Sequence, residues 1–257
     1  MDICIGTSGY SFKDWRGRFY PSGIASGKML DHYVKFFQTV EINSTYYHVP
    51  HPSIIANIAR KAPEEFDFIV KTPQSFTHRR NDIKSDLASY REALKPLDEI
   101  GKLSGVLAQF PFSFKFNSTA LDYVCAIRKK LEPHQLFVEF RHRGWVNRTM
   151  YDRLRNEGIG YVCVDEPSLP GLLAPDCFAT TNTAYIRLHG RNDEQWWNGG
   201  PLRYDYNYSG EELESWHQKI KKLKSKGSVD KVFMFFNNCH QGHAVDNALN
   251  MKQLLNV

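Results

Sequence analysis

Charged side chains recur at the C-terminal ends of the apolar segments of this chain. A buried charge is stable only when it is paired and hydrogen-bonded, so charges that meet at one end of a fold must neutralise one another. Such a ring could bind a ligand and move protons, or it could be a structural ion network that closes that end. Three cations and three carboxylates stand at these positions: Lys71, Arg141, Arg187, Glu41, Glu139 and Asp165.

Four residues at these ends are our candidates for catalysis. Glu41 or Glu139 beside a cation could act as a base, and Lys71 near other positive charges could have a lowered pKa. His189 stands two positions after Arg187, and we select it as an acid–base group because an imidazole titrates near neutral pH. The pattern predicts acid–base chemistry on an anion that the lysine and the arginines hold.

Two long segments rich in aromatic residues, 7–21 and 190–208, follow the first and the seventh predicted strands. Long segments without secondary structure tend to be functional in compact domains, so we predict that these two cover the site. The alternative is that their rings only pack the loops onto the fold. Besides the charged ring, the predicted ligand-binding residues are Tyr10, Trp15, Asn43, Gln109, Arg191, Trp196, Asn237 and Asn238.

The segment 237–242 ends the eighth predicted strand and leads directly into the last predicted helix. Free backbone N–H groups and the positive end of the helix dipole favour an anion at such a place. Arg187 and Arg191 are close in sequence to the neighbouring strand end. We therefore predict an anion site at this helix end, with simple capping of the helix by Asn238 as the alternative.

A divalent metal is a further alternative, because Glu41, Glu139, Asp165 and His189 are residue types that bind one. Fixed cations on the same ring would oppose a dication, and the sequence contains no H-E-x-x-H motif. We therefore predict no cofactor and no obligate metal.

The fold must bring these strand ends together. Short apolar segments alternate with helical patterns, which is typical of a parallel sheet covered by helices. Eight strand–helix units need about 250 residues, so the sequence predicts one α/β domain of the TIM-barrel type over residues 1–257, with an irregular crossover after strand six. The predicted strands are 2–6, 40–43, 66–71, 105–110, 136–141, 159–165, 184–189 and 231–237. The predicted helices are 28–38, 52–61, 84–102, 118–131, 148–157, 210–226 and 242–255.

Composition limits the partners and the compartment. A net charge of +5 and a pI near 8.8 are too mild to establish nucleic-acid binding, and the basic run 219–226 fits a solvated helix face. Five widely spaced cysteines without a C-x-x-C pair indicate a reducing cytoplasm. No apolar run approaches the roughly 18 residues of a membrane span, so we expect no membrane partner. The oligomeric state is not predicted.

Seven phrases at the strand ends carry a resemblance to a known family. They are G-T-S-G-Y-S-F-K-D-W-R-G-R-F-Y-P at 6–21, V-E-I-N-S-T-Y-Y at 40–47, F-I-V-K at 68–71, Q-F-P at 109–111, V-E-F-R-H-R-G-W at 138–145, R-L-H-G-R at 187–191 and F-F-N-N at 235–238. In this order they resemble the YecE-like proteins, the domain of unknown function 72. The resemblance implies a TIM-barrel-like fold with its site at the mouth, and it implies no reaction.

Three functions follow as hypotheses. The first is an enzyme that acts by acid–base chemistry on a small phosphate or carboxylate, sugar-like or nucleotide-like, with Trp15 and Trp196 closing the site. The second is a protein that binds or processes nucleic acid, with basic residues on the phosphates and rim aromatics on the bases. The third is a non-catalytic ligand-binding barrel. We favour the first.

Overall fold

Apolar segments of four to seven residues form the strands, and all neighbouring strands run parallel. The structure is a computed structural model that describes residues 1–80 and 83–257. The sheet has the order β1-β8-β7-β6-β5-β4-β3-β2, so the predicted barrel of eight parallel strands is confirmed. The strands are β1 Asp2–Thr7, β2 Thr39–Ile42, β3 Asp67–Lys71, β4 Leu103–Gln109, β5 Leu136–Glu139, β6 Gly160–Asp165, β7 Thr183–Leu188 and β8 Lys231–Phe236.

Helices follow the strands and pack their apolar faces on the sheet. The predicted segments 52–61 and 118–131 are confirmed to the residue, whereas the first predicted helix, 28–38, shortens to five residues. A four-residue helix directly after β2 was not predicted. The helices are α1 Met29–Tyr33, α2 Ser44–Tyr47, α3 Pro52–Lys61, α4 Ile83–Asp98, α5 Ser118–Leu131, α6 Arg148–Asn156, α7 Gly210–Ser225 and α8 His243–Leu255.

The barrel closes between β1 and β2, where the described residues share no ladder of hydrogen bonds. The buried hydroxyl of Tyr33 bridges the two strands: it accepts from the Thr7 N–H at 2.9 Å and donates to the Thr39 carbonyl at 3.1 Å. Gly6 allows the close approach, since a Cβ there would lie 2.3 Å from the Thr39 carbonyl oxygen. One side-chain hydroxyl thus replaces part of the missing ladder.

The register of the ladders decides which residues face the interior. Neighbours across a parallel ladder point to the same face, and successive residues alternate. Phe137 faces the interior, where its ring packs against Tyr185, and it pairs with Gly160 across the β5–β6 ladder. The inward residues of β6 are therefore the even-numbered ones. The alternation continues past the strand end, so Glu166 points into the barrel and Asp165 points toward the helices.

The segment between β6 and β7, residues 166–182, contains no helix among its described residues, which confirms the predicted irregular crossover. Glu166 anchors it by accepting the Leu173 N–H at 3.0 Å. In the described part of the chain, no helix is long and apolar enough to cross a membrane.

Candidate functional site

A cleft opens at the C-terminal mouth of the barrel and consists of two adjoining cavities of about 270 and 240 Å³. Both are lined by side chains from the ends of β3, β4 and β5 and from the segments that follow β2 and β7. The two cavities together are called the mouth cleft below. The residues shared by both cavities are Tyr46, Tyr47, Lys71, Gln109, Arg141 and Tyr204.

Glu139 is the centre of the ion network beneath the mouth cleft, and it has no solvent exposure. Its Oε1 accepts from Arg141 Nε and its Oε2 accepts from Arg187 Nη1, each at 2.5 Å. Burial opposes the charged carboxylate, but the two guanidiniums outweigh burial and hold the pKa of Glu139 well below its usual range. Glu139 is therefore ionised at neutral pH, and both of its oxygens already accept hydrogen bonds from arginines.

Glu41 is held in the same way on the opposite side of the barrel. Its Oε1 accepts from Arg187 Nη2 at 2.6 Å and from Asn43 Nδ2 at 2.8 Å, and its Oε2 accepts from the Tyr185 hydroxyl at 2.5 Å. Glu41 is fully buried and Arg187 is 2% exposed. One guanidinium thus bridges two carboxylates from different strands. Four of the six charges predicted for the ring are paired in this network, those of Glu41, Glu139, Arg141 and Arg187.

Lys71 is the titratable amine that reaches the mouth cleft. Its Nζ donates to Gln109 Oε1 at 2.9 Å and lies 4.5 Å from the ring centroid of Tyr46. Desolvation, followed by repulsion from Arg187, lowers the pKa of this amine to about 7. A large fraction of the Lys71 side chains is therefore neutral at neutral pH, and a neutral amine can accept a proton.

Two arginines present cationic surface to the mouth cleft. Arg141 uses three of its nitrogens on Glu139, Glu166 and His189, and a guanidinium carries five N–H donors, so two remain for a ligand. Its guanidinium carbon lies 5.7 Å from the ring centroid of Trp196. Arg203 has no carboxylate partner among the described residues, and its Nε donates to the Gly200 carbonyl.

His189 lies beneath Arg141 and has no solvent exposure. Its Nδ1 faces two donors, Asn237 Nδ2 at 2.9 Å and Arg141 Nη2 at 3.4 Å, which places the ring proton on Nε2, 3.2 Å from Glu139 Oε1. Burial, followed by repulsion from Arg141, lowers the pKa of His189 to about 3. The imidazole is neutral at physiological pH and orients Arg141.

Glu166, which the sequence analysis did not select, takes the place in the ring that was predicted for Asp165. Its Oε2 accepts from Arg141 Nη1 at 3.2 Å. Burial raises the pKa of the Glu166 carboxyl to about 7, against the attraction of Arg141. The sixth strand is apolar on both faces, so its sequence gave no alternation from which the inward face could be read.

Asp165 is instead buried between the sheet and α7, and the prediction that it faces the mouth is wrong. It accepts two hydrogen bonds from Arg191, each at 2.7 Å, and one from Trp216 Nε1 at 2.6 Å. Arg191 also pairs with Glu212, so both of its charged contacts lie within the protein. These residues fasten α7 to the barrel, because the odd-numbered positions of β6 face outward.

Asn238 also points away from the mouth cleft. Its Nδ2 donates to the Tyr206 carbonyl and to Asn247 Oδ1, each at 2.8 Å. Asn237, one position earlier, faces inward and lines the mouth cleft. The predicted pair is thus divided by strand alternation, and Asn238 joins α8 to the β7–α7 loop without capping the helix.

The N-terminal end of α8 is surrounded by the protein's own acidic side chains. The Gln241 N–H donates to Asp14 Oδ2 at 2.7 Å, and Asp246 in the first turn pairs with Arg18. Asp205 lies near the same end, 3.1 Å from His240 Nδ1. These carboxylates take the position that the sequence analysis predicted for a bound anion.

The two aromatic loops have different roles. Trp15 is fully buried and donates from Nε1 to the Cys239 carbonyl at 2.7 Å, and the Tyr10 carbonyl accepts from Tyr20. Trp15 and Tyr10 of the first loop thus pack on the barrel, as the alternative interpretation holds, while Ser8 and Phe12 of the same loop line the smaller cavity. Trp196 and the neighbouring Trp197 line the mouth cleft, so the seventh loop forms part of its wall.

Several residues of the mouth cleft were not selected from the sequence. Tyr46 and Tyr47 depend on the unpredicted helix α2, and His78 packs edge-on against Tyr46 at 5.1 Å. Desolvation, with repulsion from Lys71, lowers the pKa of His78 to about 4. Arg203 and Tyr204 come from the far end of the seventh loop; the aromatic content of that loop was the available signal.

The residues of the ring suit guanidinium pairing better than metal binding. No three histidine, cysteine, aspartate or glutamate side chains in the described ranges converge so that they could hold a metal ion. Glu41 and Glu139 each face an arginine, and Asp165 is on the other side of the strand.

Comparisons with known proteins agree with the fold. A profile described as "Protein of unknown function DUF72" matches residues 4–257. The UPF0759 protein YunF of Bacillus subtilis is 30% identical over 273 residues, which cover 99% of this chain and 95% of that protein. The crystal structure of a DUF72 family protein from Thermotoga maritima is similar over 100% of both chains, with 41% identity and a TM-score of 0.91. A DUF72 protein from Enterococcus faecalis, at 24% identity, has the same fold over 99% of this chain and 96% of its own, with a TM-score of 0.89.

Proposed function

Because the chain belongs to the DUF72 family, whose description names no function, we propose from the site itself that it is an enzyme. It binds a small phosphate or carboxylate compound in the mouth cleft, and Lys71 moves a proton to and from that compound. The fold carries no part of this proposal, since TIM barrels support many chemistries. The reaction would take place in the cytoplasm, as the cysteine pattern predicts.

One observation carries the proposal: the charge that a ligand would meet in the mouth cleft is cationic. Lys71, Arg141 and Arg203 line it, whereas Glu41 and Glu139 are sealed beneath with no exposure. Arg141 is thus held in place by Glu139 and Glu166, which do not face the ligand, whereas Arg203 keeps its charge free of any carboxylate among the described residues. A cationic surface with guanidinium donors suits an anionic ligand.

In this proposal Lys71 is the residue that transfers the proton. An effective base has a pKa near the working pH and stands in reach of the ligand, and the Lys71 amine meets both conditions. Glu139 and His189, which the sequence analysis proposed for this role, are buried against arginines. We assign them to positioning: they fix the guanidiniums that hold the anion.

The first experiment is native mass spectrometry of the freshly purified protein, with elemental analysis of the same sample. A co-purified phosphate or carboxylate compound would support the proposal and give the substrate class. A stoichiometric divalent metal would contradict it and would direct attention to Glu139 and His189 as ligands. Titration calorimetry with inorganic phosphate then tests the anion site whether or not a compound co-purifies.

Matched arginine variants make the calorimetry specific. Arg203→Ala should weaken phosphate binding by about tenfold, because a charge-assisted hydrogen bond contributes roughly 1.5 kcal/mol. Arg148→Ala is the control, since Arg148 is 95% exposed on α6 and lies on no wall of the mouth cleft. Equal effects of the two substitutions, or no phosphate binding by the wild-type protein, would contradict the anion site.

The amine itself can be tested by chemical labelling. At pH 7 trinitrobenzenesulfonate reacts with neutral amines, so Lys71 should be modified faster than the exposed lysines, whose ordinary pKa is about 10.4. Peptide mapping after short exposures identifies the labelled site, and bound phosphate should protect it. Labelling of Lys71 at the same rate as Lys95, an exposed lysine on α4, would remove the basis for its role as a base.

A further inference from the structure

We infer that the ligand of the mouth cleft carries a flat aromatic ring at a distance from its anionic group, as a nucleoside monophosphate does. The inference rests on the proposed anion site and names the class of compound that fits the rest of the cleft. It starts from two large aromatic side chains that are exposed where the cleft opens: Trp197 is 47% exposed and Tyr47 is 78% exposed.

Each exposed ring is braced from behind by a second ring. Trp197 packs against Phe112 with centroids 4.9 Å apart and planes at 67°, and Tyr47 packs against Tyr46 at 5.0 Å and 89°. Edge-to-face contacts of this kind fix the orientation of a ring and leave one of its faces free. Both walls of the opening therefore present aromatic faces that are already in position.

The braces are fixed in turn by the barrel. Phe112 lies against Gly171, where a Cβ would come within 3.0 Å of its ring, and it contacts the His142 ring at 5.1 Å. Tyr46 is held by His78 and by the Lys71 ammonium, 4.5 Å from its centroid. The same lysine thus contacts both the anion site and one aromatic wall, so one ligand can reach both with its anionic group and its ring at opposite ends.

The chemistry of the lining favours a base over a sugar as the stacked group. Most glycoside hydrolases act with two carboxylates that face the ligand. The carboxylates at this mouth, Glu41, Glu139 and Glu166, are buried and engaged with Arg187 or Arg141. Stacking on aromatic faces suits any base, since every base has a π-face.

Four probes separate the contribution of the ring to binding from that of the anionic group. They are inorganic phosphate, ribose phosphate, adenosine and adenosine monophosphate, each titrated by calorimetry. The affinity for adenosine monophosphate should be at least about tenfold higher than the affinity for ribose phosphate, which is the gain expected of one stacked base. Trp197→Ala should remove that difference and leave the affinity for inorganic phosphate unchanged, while Trp197→Phe should keep most of it. Phe36→Ala is the control, because Phe36 is a 39% exposed aromatic residue outside the cleft.

The outcomes separate this inference from the proposed function. Equal affinities for adenosine monophosphate and ribose phosphate, with phosphate bound normally, would overturn the stacked ring and leave the anion site intact. Binding of adenosine that depends on Trp197, without any binding of phosphate, would support the aromatic walls and contradict the anion site. No binding of any of the four probes would overturn both.

Discussion

Glu139 and Arg187 form an ion pair that solvent does not reach: Oε2 and Nη1 are 2.5 Å apart, and the two side chains are 0% and 2% exposed. Arg187 also pairs with Glu41, and Glu139 also pairs with Arg141. The four side chains therefore alternate in charge across the barrel. Since Arg187 and Glu139 each pair with two opposite charges, loss of either one leaves buried charges with fewer counter-charges.

Glu139→Gln tests this network. The substitution keeps the shape of the side chain but leaves Arg141 and Arg187 with one fewer counter-charge, so we expect the free energy of unfolding to fall by about 3–5 kcal/mol. Urea unfolding followed by circular dichroism measures it. Glu92→Gln is the control, because the Glu92–Lys95 pair is more than half exposed and should leave the urea midpoint unchanged. Similar midpoints for the two variants would contradict the network.

His189 should make the protein less stable in mild acid. A histidine in the unfolded chain gains a proton below its ordinary pKa of 6.5, whereas buried His189 gains one only near pH 3. The unfolded state therefore binds more protons between these values, and stability falls as the pH falls through that window. Glu166 acts in the opposite direction, because its raised pKa keeps a proton on the folded protein up to about pH 7.

His189→Asn isolates the histidine contribution, since Glu166 is present in both proteins. The slope of unfolding free energy against pH between about 6 and 4 should decrease by roughly 1.4 kcal/mol per pH unit relative to the wild type. Urea titrations at several pH values give both slopes. His51→Asn, at an exposed helix cap, is the matched control. An unchanged slope in His189→Asn would show that His189 is protonated in the folded protein.

Lys71→Met should stabilise the protein, and more so at pH 6 than at pH 9. The folded pKa of about 7 lies below the ordinary 10.5, so at pH 6 the fold carries a desolvated ammonium beside two arginines. Between these values the unfolded chain binds more protons, so wild-type stability rises with pH and the advantage of the variant shrinks. Thermal unfolding at both pH values measures it; a constant difference would indicate an ordinary lysine pKa.

The strands were predictable because they are short, apolar and separated by helical patterns. The polar residues at their ends could be assigned to the mouth for the same reason: Lys71, Gln109 and Glu139 each end a strand, Arg187 stands one residue before the end of β7, and all four face inward. A parallel barrel collects the C-terminal ends of its strands at one face, so position in the strand predicts position in the site.

The errors also have a physical origin. The residues of β6 are buried on both faces, so hydrophobicity does not alternate and the choice between Asp165 and Glu166 could not be made without the ladder to β5. The walls of the cleft depend on loop conformation: Tyr46 and Tyr47 follow from a four-residue helix that has no sequence period of its own. Local composition indicated aromatic loops, while their contacts were set by packing.

Asp165→Asn and Glu166→Gln separate the two sides of β6 by experiment. Asp165 holds Arg191 and Trp216 outside the barrel, so its substitution should lower the urea midpoint and leave phosphate affinity unchanged. Glu166 pairs with Arg141, which also lines the mouth cleft, and the Glu166 carboxyl has a pKa of about 7. Above that pH its carboxylate competes with the ligand for Arg141, because two anions share one guanidinium.

Glu166→Gln should therefore strengthen phosphate binding at pH 8 and change it little at pH 6, where the wild-type carboxyl is already protonated. Calorimetry of both proteins at each pH measures this ratio of affinities, and the titration of phosphate itself cancels in the ratio. An equal ratio at the two pH values would mean that Glu166 does not titrate in this range. A loss of phosphate binding in Asp165→Asn would contradict the assignment of Asp165 to the outer face of β6 and would indicate that it contributes to the ligand site.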